Sequence, residues 1–203
     1  MLRSLVGSEM CIRDRSEAVL AIVKRPDKVA QVGNAINTAI ARTLFKTEFT
    51  QDLVEATIPL DPGLYSQTIN LPSLVVPLTR FRKWKYVKVT GDLRYLKYID
   101  PQNVFVPGGV QQTGCYYMIG SDLTVLLDSL ATSLEVGYYQ HPPVLSGANT
   151  FWLTDICPYG IINRAAGEVF ALIGDANSAK LHLAMGEDLL TIMTDDLRDQ
   201  VTY

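Results

Sequence analysis

The stretch Gly137 to Asp175, GYYQHPPVLSGANTFWLTDICPYGIINRAAGEVFALIGD, constrains the fold most, because strand punctuation gives way to helix punctuation within it. Tyr138-Tyr139 reads as the end of a strand, and Pro142-Pro143 stops the ladder because proline has no N–H to donate. Pro158 stands where proline fits a helix, at its first turn. Beyond it Ile161, Ile162, Ala165, Ala166, Val169, Phe170, Leu172 and Ile173 recur at helical spacing, with Asn163, Arg164, Gly167 and Glu168 between them. One face of that helix must be buried. Gly174 is placed to stop it, and Asp175 to cap the next. The second helix has a broader apolar set, Ala179, Leu181, Leu183, Ala184, Leu189, Leu190, Ile192 and Met193, while Glu187, Asp188, Asp195, Asp196, Arg198 and Asp199 stay polar. The two form an αα-hairpin that needs a third helix to cover it.

The front of the chain supplies that helix. From Pro26 to about Lys46, Val29, Val32, Ile36, Ile40, Thr43 and Leu44 share one face, and a shorter helix from Ser16 to Val23, with Ser16 as its cap, precedes it. Phe45 and Phe49 flank the exit and are expected to seal the helical layer.

The middle is strand-like. Asp52 to Leu60 and Leu64 to Leu71 flank Asp61-Pro62-Gly63, a turn signal that predicts a hairpin. Trp84 to Val89 alternates aromatic and apolar residues with Lys83, Lys85 and Lys88, as a strand with one wet face does, and Tyr95 to Ile99 repeats the theme. A long connection runs from Asp100 to Gly109. Cys115 to Ile119, Leu123 to Leu127 and Ser133 to Gln140 complete the set, with a tight turn at Gly120-Ser121-Asp122. Helices at both ends and strands between them define an α+β class: terminal helices form a small bundle, residues 16–50 and 150–203, around an inserted antiparallel sheet or sandwich-like block, residues 51–149.

The first fifteen residues, MLRSLVGSEMCIRDR, stand apart. Met10 to Arg15 looks like the translation of a transposon-end adapter used in sequencing libraries, so 1–15 is set aside as non-native, the alternative being an amphipathic leader. No apolar run approaches the ~20 residues that cross a bilayer.

With 18 Lys and Arg against 21 Asp and Glu, the net charge of −3 disfavours a protein that grips nucleic acid through counterion release. Three cysteines, Cys11, Cys115 and Cys157, make neither a disulfide scaffold nor a zinc pair and fit a reducing cytosol. His141 and His182 have no helix-spaced ligand partner, and Pro107-Gly108-Gly109 leads into no phosphate cradle, so no metal or cofactor is called for. A thiol site can be drawn from Cys157, His182 and Asp155, though their spacing does not demand it. The basic cluster Arg80, Arg82, Lys83, Lys85 and Lys88, interleaved with Trp84 and Tyr86, suits stacked bases and phosphates, but a solvated strand face explains it more simply. Tyr116-Tyr117, Tyr138-Tyr139, Phe151-Trp152 and Tyr159 either pack the sheet on the helices or anchor a subunit contact.

Three segments carry a resemblance. VLAIVKRPDKVAQVGNAINTAIARTLFKTEFTQDLVEATI, INLPSLVVPLTRFRKWKYVKV, and GYYQHPPVL followed by FWLTDICPYGIINRAAGEVFALIGDANSA resemble, in type and order, the head-to-tail adaptor (connector) proteins of tailed bacteriophages. The resemblance covers nearly everything after residue 15. It implies a structural, non-enzymatic virion protein at the head-tail junction, assembled in the host cytoplasm. It further implies a homo-oligomeric ring, typically a dodecamer, that binds beneath the portal protein, extends the channel for double-stranded DNA, and seats tail or stopper proteins, with no membrane partner. Trp152, Tyr159, Arg164, Tyr138 and Tyr139 become candidates for a subunit or portal interface, and Glu187, Asp188, Asp195 and Asp196 for acids facing the channel. A head-completion stopper or tail-completion protein is the alternative, and a small cysteine-dependent enzyme a more distant one.

Overall fold

The computed structural model describes residues 12–74, 78–106, 110–146 and 149–199. Residues 1–11, most of the adapter-like stretch, lie outside the described residues, as does Pro107-Gly108-Gly109. The fold is α+β, and the chain divides into two compact units, residues 1–51 with 142–203, and residues 52–141.

The first unit is helical. Its elements are α1 (Ile12–Val23), α2 (Val29–Lys46), α3 (Trp152–Ile156), α4 (Pro158–Leu172) and α5 (Ala176–Asp199). α4 is the hub, packed by α1, α2, α3 and α5. Val32, Ile36, Ile40 and Leu44 of α2 meet Ile161, Ala165 and Val169 of α4 in one buried cluster, which Val19 and Val23 of α1 also enter. Pro158 opens α4, Gly174 adopts φ +84° just past its end, and Asp175 caps α5 by accepting from Ser178 N at 3.0 Å. The returning chain is pinned by Asn37, whose Oδ1 accepts from Leu145 N at 2.8 Å while its Nδ2 donates to Leu145 O at 3.2 Å.

Three expectations for this unit change. α1 begins at Ile12, so Ser16 lies inside the helix rather than at its cap, and residues 12–15 belong to the element. Of the two phenylalanines at the exit, Phe49 is buried and meets the Trp152 ring edge at 5.0 Å, whereas Phe45 is exposed. Arg164 and Gly167, read as lying between the apolar positions rather than among them, are buried because α5 covers that side of α4.

The second unit is a pair of sheets. The first sheet has the order β1 (Leu53–Pro59), β9 (Ser133–Gln140), β3 (Phe81–Val89). The second has β2 (Ser66–Asn70), β8 (Asp122–Leu126), β7 (Cys115–Ile119), β4 (Lys97–Tyr98), and a short ribbon joins β5 (Phe105–Val106) to β6 (Val110–Gln111). All pairings are antiparallel except β4 with β7. Ile58, Val87, Leu134 and Val136 from the first sheet pack with Leu123, Val125 and Tyr116 from the second, so the core lies between the sheets. β8 is buried on both faces, since Leu126 turns away from that core into a smaller cluster with Ile99, Val104 and Cys115.

The predicted hairpin around Asp61-Pro62-Gly63 is not one. The turn forms, with Gly63 N donating to Asp61 Oδ1 at 3.2 Å, but β1 pairs with β9 and β2 with β8, so the chain crosses from one sheet to the other there. Gln67 holds the corner by accepting from Asp61 N and donating to Asp61 O, both at 2.8 Å. The alternation read in β3 also breaks, at register shifts between Phe81 and Lys83 and between Trp84 and Tyr86. An extra residue at each shift reverses the facing of the residues beyond it. Trp84 therefore packs with Phe81 and Tyr138, while Tyr86 lies over Gly137 and donates to Glu55.

Candidate functional site

The α4–α5 hairpin carries most of the residues singled out by sequence. Its helices pack at backbone distance. A Cβ on Gly186 would lie 2.8 Å from Arg164 N, and one on Gly167 would lie 2.9 Å from Leu183 N, so only glycine permits this seam. Close approach sets Arg164 against α5, where its Nη1 donates to Glu187 Oε2. Lys46 reaches the same carboxylate from α2 through an ion pair with Oε1. The two cations, Lys46 foremost, hold Glu187 below the ordinary glutamate value of 4.5 against the opposing effect of burial. A polar hollow of about 230 Å³ adjoins this triad, with Thr43, Thr191, Thr194 and Asp195 on its wall. The three threonine hydroxyls donate to carbonyls four residues back, which leaves lone pairs as what they offer the hollow.

The broad apolar set expected on α5 divides in two. Ala179, Leu190 and Met193 are buried toward the bundle, whereas Leu181, Leu189 and Ile192, joined by Met185, face solvent as a stripe along one flank. Asn163 and Phe170 of α4 fix which flank that is, because His182 bonds Asn163 Oδ1 at 2.9 Å and stacks on the Phe170 ring at 5.3 Å. Tyr159, one turn before Asn163 and 65% exposed, continues the same apolar face. Sequence reasoning missed Met185 and the stripe. Its signal was present in the excess of apolar positions over what one buried face of α5 needs.

Not all the candidate interface residues reach the surface. Tyr159 does, and Trp152 is half-buried between Phe49 and Phe151. Tyr138, Tyr139 and Arg164 do not: Tyr138 packs on Phe81 and Trp84, the Arg82 and Lys85 cations lie over the Tyr139 ring, and Arg164 is 8% exposed. In the isolated chain these three side chains keep only a small exposed surface. Of the acids, Asp188, Asp195 and Asp196 are exposed on α5, and Glu187 is committed to Lys46 and Arg164.

The thiol constellation does not assemble. Cys157 Sγ donates to Leu189 O at 3.7 Å, and burial pushes the thiol up, away from the thiolate a nucleophile needs. His182 is with Asn163 and Phe170, and Asp155 accepts from Arg15 Nη2 at 2.6 Å. Arg15 is fully buried and also donates to Thr154 O at 3.0 Å, yet its Nε and Nη1 find no partner among the described residues. Among the described residues there is no group of three or more His, Cys, Asp or Glu placed to hold a metal, and no helix long and apolar enough to cross a membrane.

The α4–α5 hairpin thus leaves a row of apolar side chains in solvent along α5. The family model for the SU10 adaptor protein matches residues 12–202, and the chain belongs to that phage adaptor family. The match begins at the first residue of α1. A comparison with curated proteins finds no match.

Proposed function

We propose that the protein is a structural, non-enzymatic head-to-tail adaptor of a tailed bacteriophage. Copies join as a ring, a dodecamer in the form the resemblance implies, beneath the portal protein; the ring extends the DNA channel and seats tail or stopper proteins. The observation that carries this reading is the open apolar face of Tyr159, Met185, Leu189 and Ile192 on an otherwise well-packed bundle, in a chain of the adaptor family. Large exposed apolar surface rimmed by polar residues marks a protein contact. The separate commitments of Cys157, His182 and Asp155 support a role without catalysis. DNA passes without sequence recognition, and the exposed carboxylates of Asp188, Asp195 and Asp196 repel phosphate wherever it nears α5.

The test is co-expression with the portal protein encoded in the same genome, followed by negative-stain imaging of the purified complex. A closed ring of adaptor density on one end of the portal is the expected result, and Cys157→Ala leaves it unchanged. A chain that neither binds portal nor self-associates overturns the reading.

A further inference from the structure

Two exposed apolar surfaces of this chain carry opposite charge. On α5 the stripe of Leu181, Met185, Leu189 and Ile192 is edged by carboxylates: Asp188 lies one turn from both Met185 and Ile192, and Asp196 one turn beyond Ile192. The second surface is the turn between β3 and β4. There Asp92 N donates to Val89 O at 3.0 Å, Gly91 takes φ +83°, and Leu93 stands at the tip with 95% of its surface exposed, the highest of any large apolar residue described. Arg94, Tyr95, Lys97 and Tyr98 follow, all exposed. Tyr95 leans on Tyr86 at 5.4 Å between ring centres and Tyr98 on Tyr116 at 5.6 Å, so both rings are positioned before any partner arrives. β4 is the outermost strand of its sheet, an edge that natural proteins cover.

The geometry points to a contact between copies in which the α5 stripe of one receives the Leu93–Tyr98 edge of the next. Leu93 and Tyr95 lie on the apolar stripe, and Arg94 and Lys97 face Asp188 and Asp196. This contact rests on the ring reading and names the surfaces that build the ring. The two patches differ, so the contact is heterologous and repeats head to tail until its rotation closes. Asp92 already meets Arg94 at 3.4 Å within the turn, an exposed pairing that the neighbour's carboxylates join. At such a rim, charge sets register and rejects wrong partners more than it adds affinity.

Two charge-reversed full-length proteins test the contact: Arg94→Glu with Lys97→Glu, and Asp188→Lys with Asp196→Lys. Each is studied by sedimentation alone and as an equimolar mixture, on its own and with portal present, with circular dichroism to confirm folding. The unsubstituted chain is expected to assemble, each variant alone to lose the assembled species, and the mixture to regain it, because the acidic edge of one then meets the basic rim of the other in alternation. Assembly that persists in either variant alone, or a mixture no better than its components, overturns the contact while leaving the ring reading standing. Rings in both variants with portal binding lost only from the α5 variant would reassign the stripe to the portal and overturn it as well. An unsubstituted chain that stays monomeric alone and with portal removes the ring reading itself.

Discussion

Gly186 on α5 faces the backbone nitrogen of Arg164 on α4 so closely that a Cβ at position 186 would sit 2.8 Å from it. The same atom would lie 3.0 Å from Gly160 O, so the crowding comes from backbone and not from a side chain able to swing away. This contact fixes the spacing of the hairpin, and through it the reach of Arg164 to Glu187.

Gly186→Ala should therefore destabilise the helical unit. Alanine gains up to about 1 kcal/mol of helix propensity over glycine, but forcing two packed helices apart costs about 1–3 kcal/mol. The expected result is a net loss, read as a lower urea midpoint. A midpoint equal to or above that of the unsubstituted chain would show that the helices do not pack this closely.

Arg15→Met should raise stability. Arg15 is fully buried with two donor nitrogens unpaired among the described residues, whereas its partner Asp155 keeps 39% of its side chain in solvent and can be hydrated without it. Replacing a poorly satisfied buried cation with an apolar chain of similar length is worth about 1 kcal/mol. Thermal melts would reveal it, and a large loss would mean that Arg15 is an integral partner of α3.

Acid should loosen the triad on Glu187. Its folded pKa lies below 4.5, its ordinary value, so the stability it contributes is full above that value and is lost as pH falls through the folded pKa. Glu187→Gln should flatten the acid limb of a stability-versus-pH curve while lowering stability at neutral pH. Parallel acid limbs for the two proteins would rule out this linkage.

Alkali should spare Tyr86. Its phenol donates to the Glu55 carboxylate, and that bond, with burial, pushes its pKa up to about 12 from 10.0. The stability tied to the protonated phenol is intact below the ordinary tyrosine value and disappears as pH climbs through the raised one. Burial also raises Tyr116, so ultraviolet titration should show more than one late tyrosine, of which Glu55→Gln brings one back among the others. A late absorbance change of the same amplitude in the two proteins would contradict the pairing.

Helices were legible where periodicity and punctuation agreed. Pro158, Gly174 and Asp175 mark the bounds of α4 and α5, and Val32, Ile36, Ile40 and Leu44 line the buried face of α2. What misled was information held by partners. Asp61-Pro62-Gly63 does make a turn, but no local residue says which strand each arm will pair with. Lys85 carries no mark that it is the extra residue of a bulge, so Trp84 and Tyr86 read as sharing one face. Tyr138 and Tyr139 look like adhesive surface because aromatics serve cores and interfaces alike, and only the neighbours Trp84 and Arg82 decide between them. The open stripe on α5 is hidden for the opposite reason. Leu181, Leu189 and Ile192 read as core until the bundle is seen to be full without them.

The pairing of β1 with β9 has a consequence for how the chain comes together. Leu53 and Tyr139 are ladder partners, so once the strand block has formed, its first and last strands leave it side by side, roughly 5 Å apart. For the segments on either side, an intervening length of some ninety residues then counts as a short tether, and most of the entropy of joining distant parts of the chain has already been spent. Folding of the block ahead of the helices is the order that this closure favours, and it lets a long insertion sit in a small bundle at little cost.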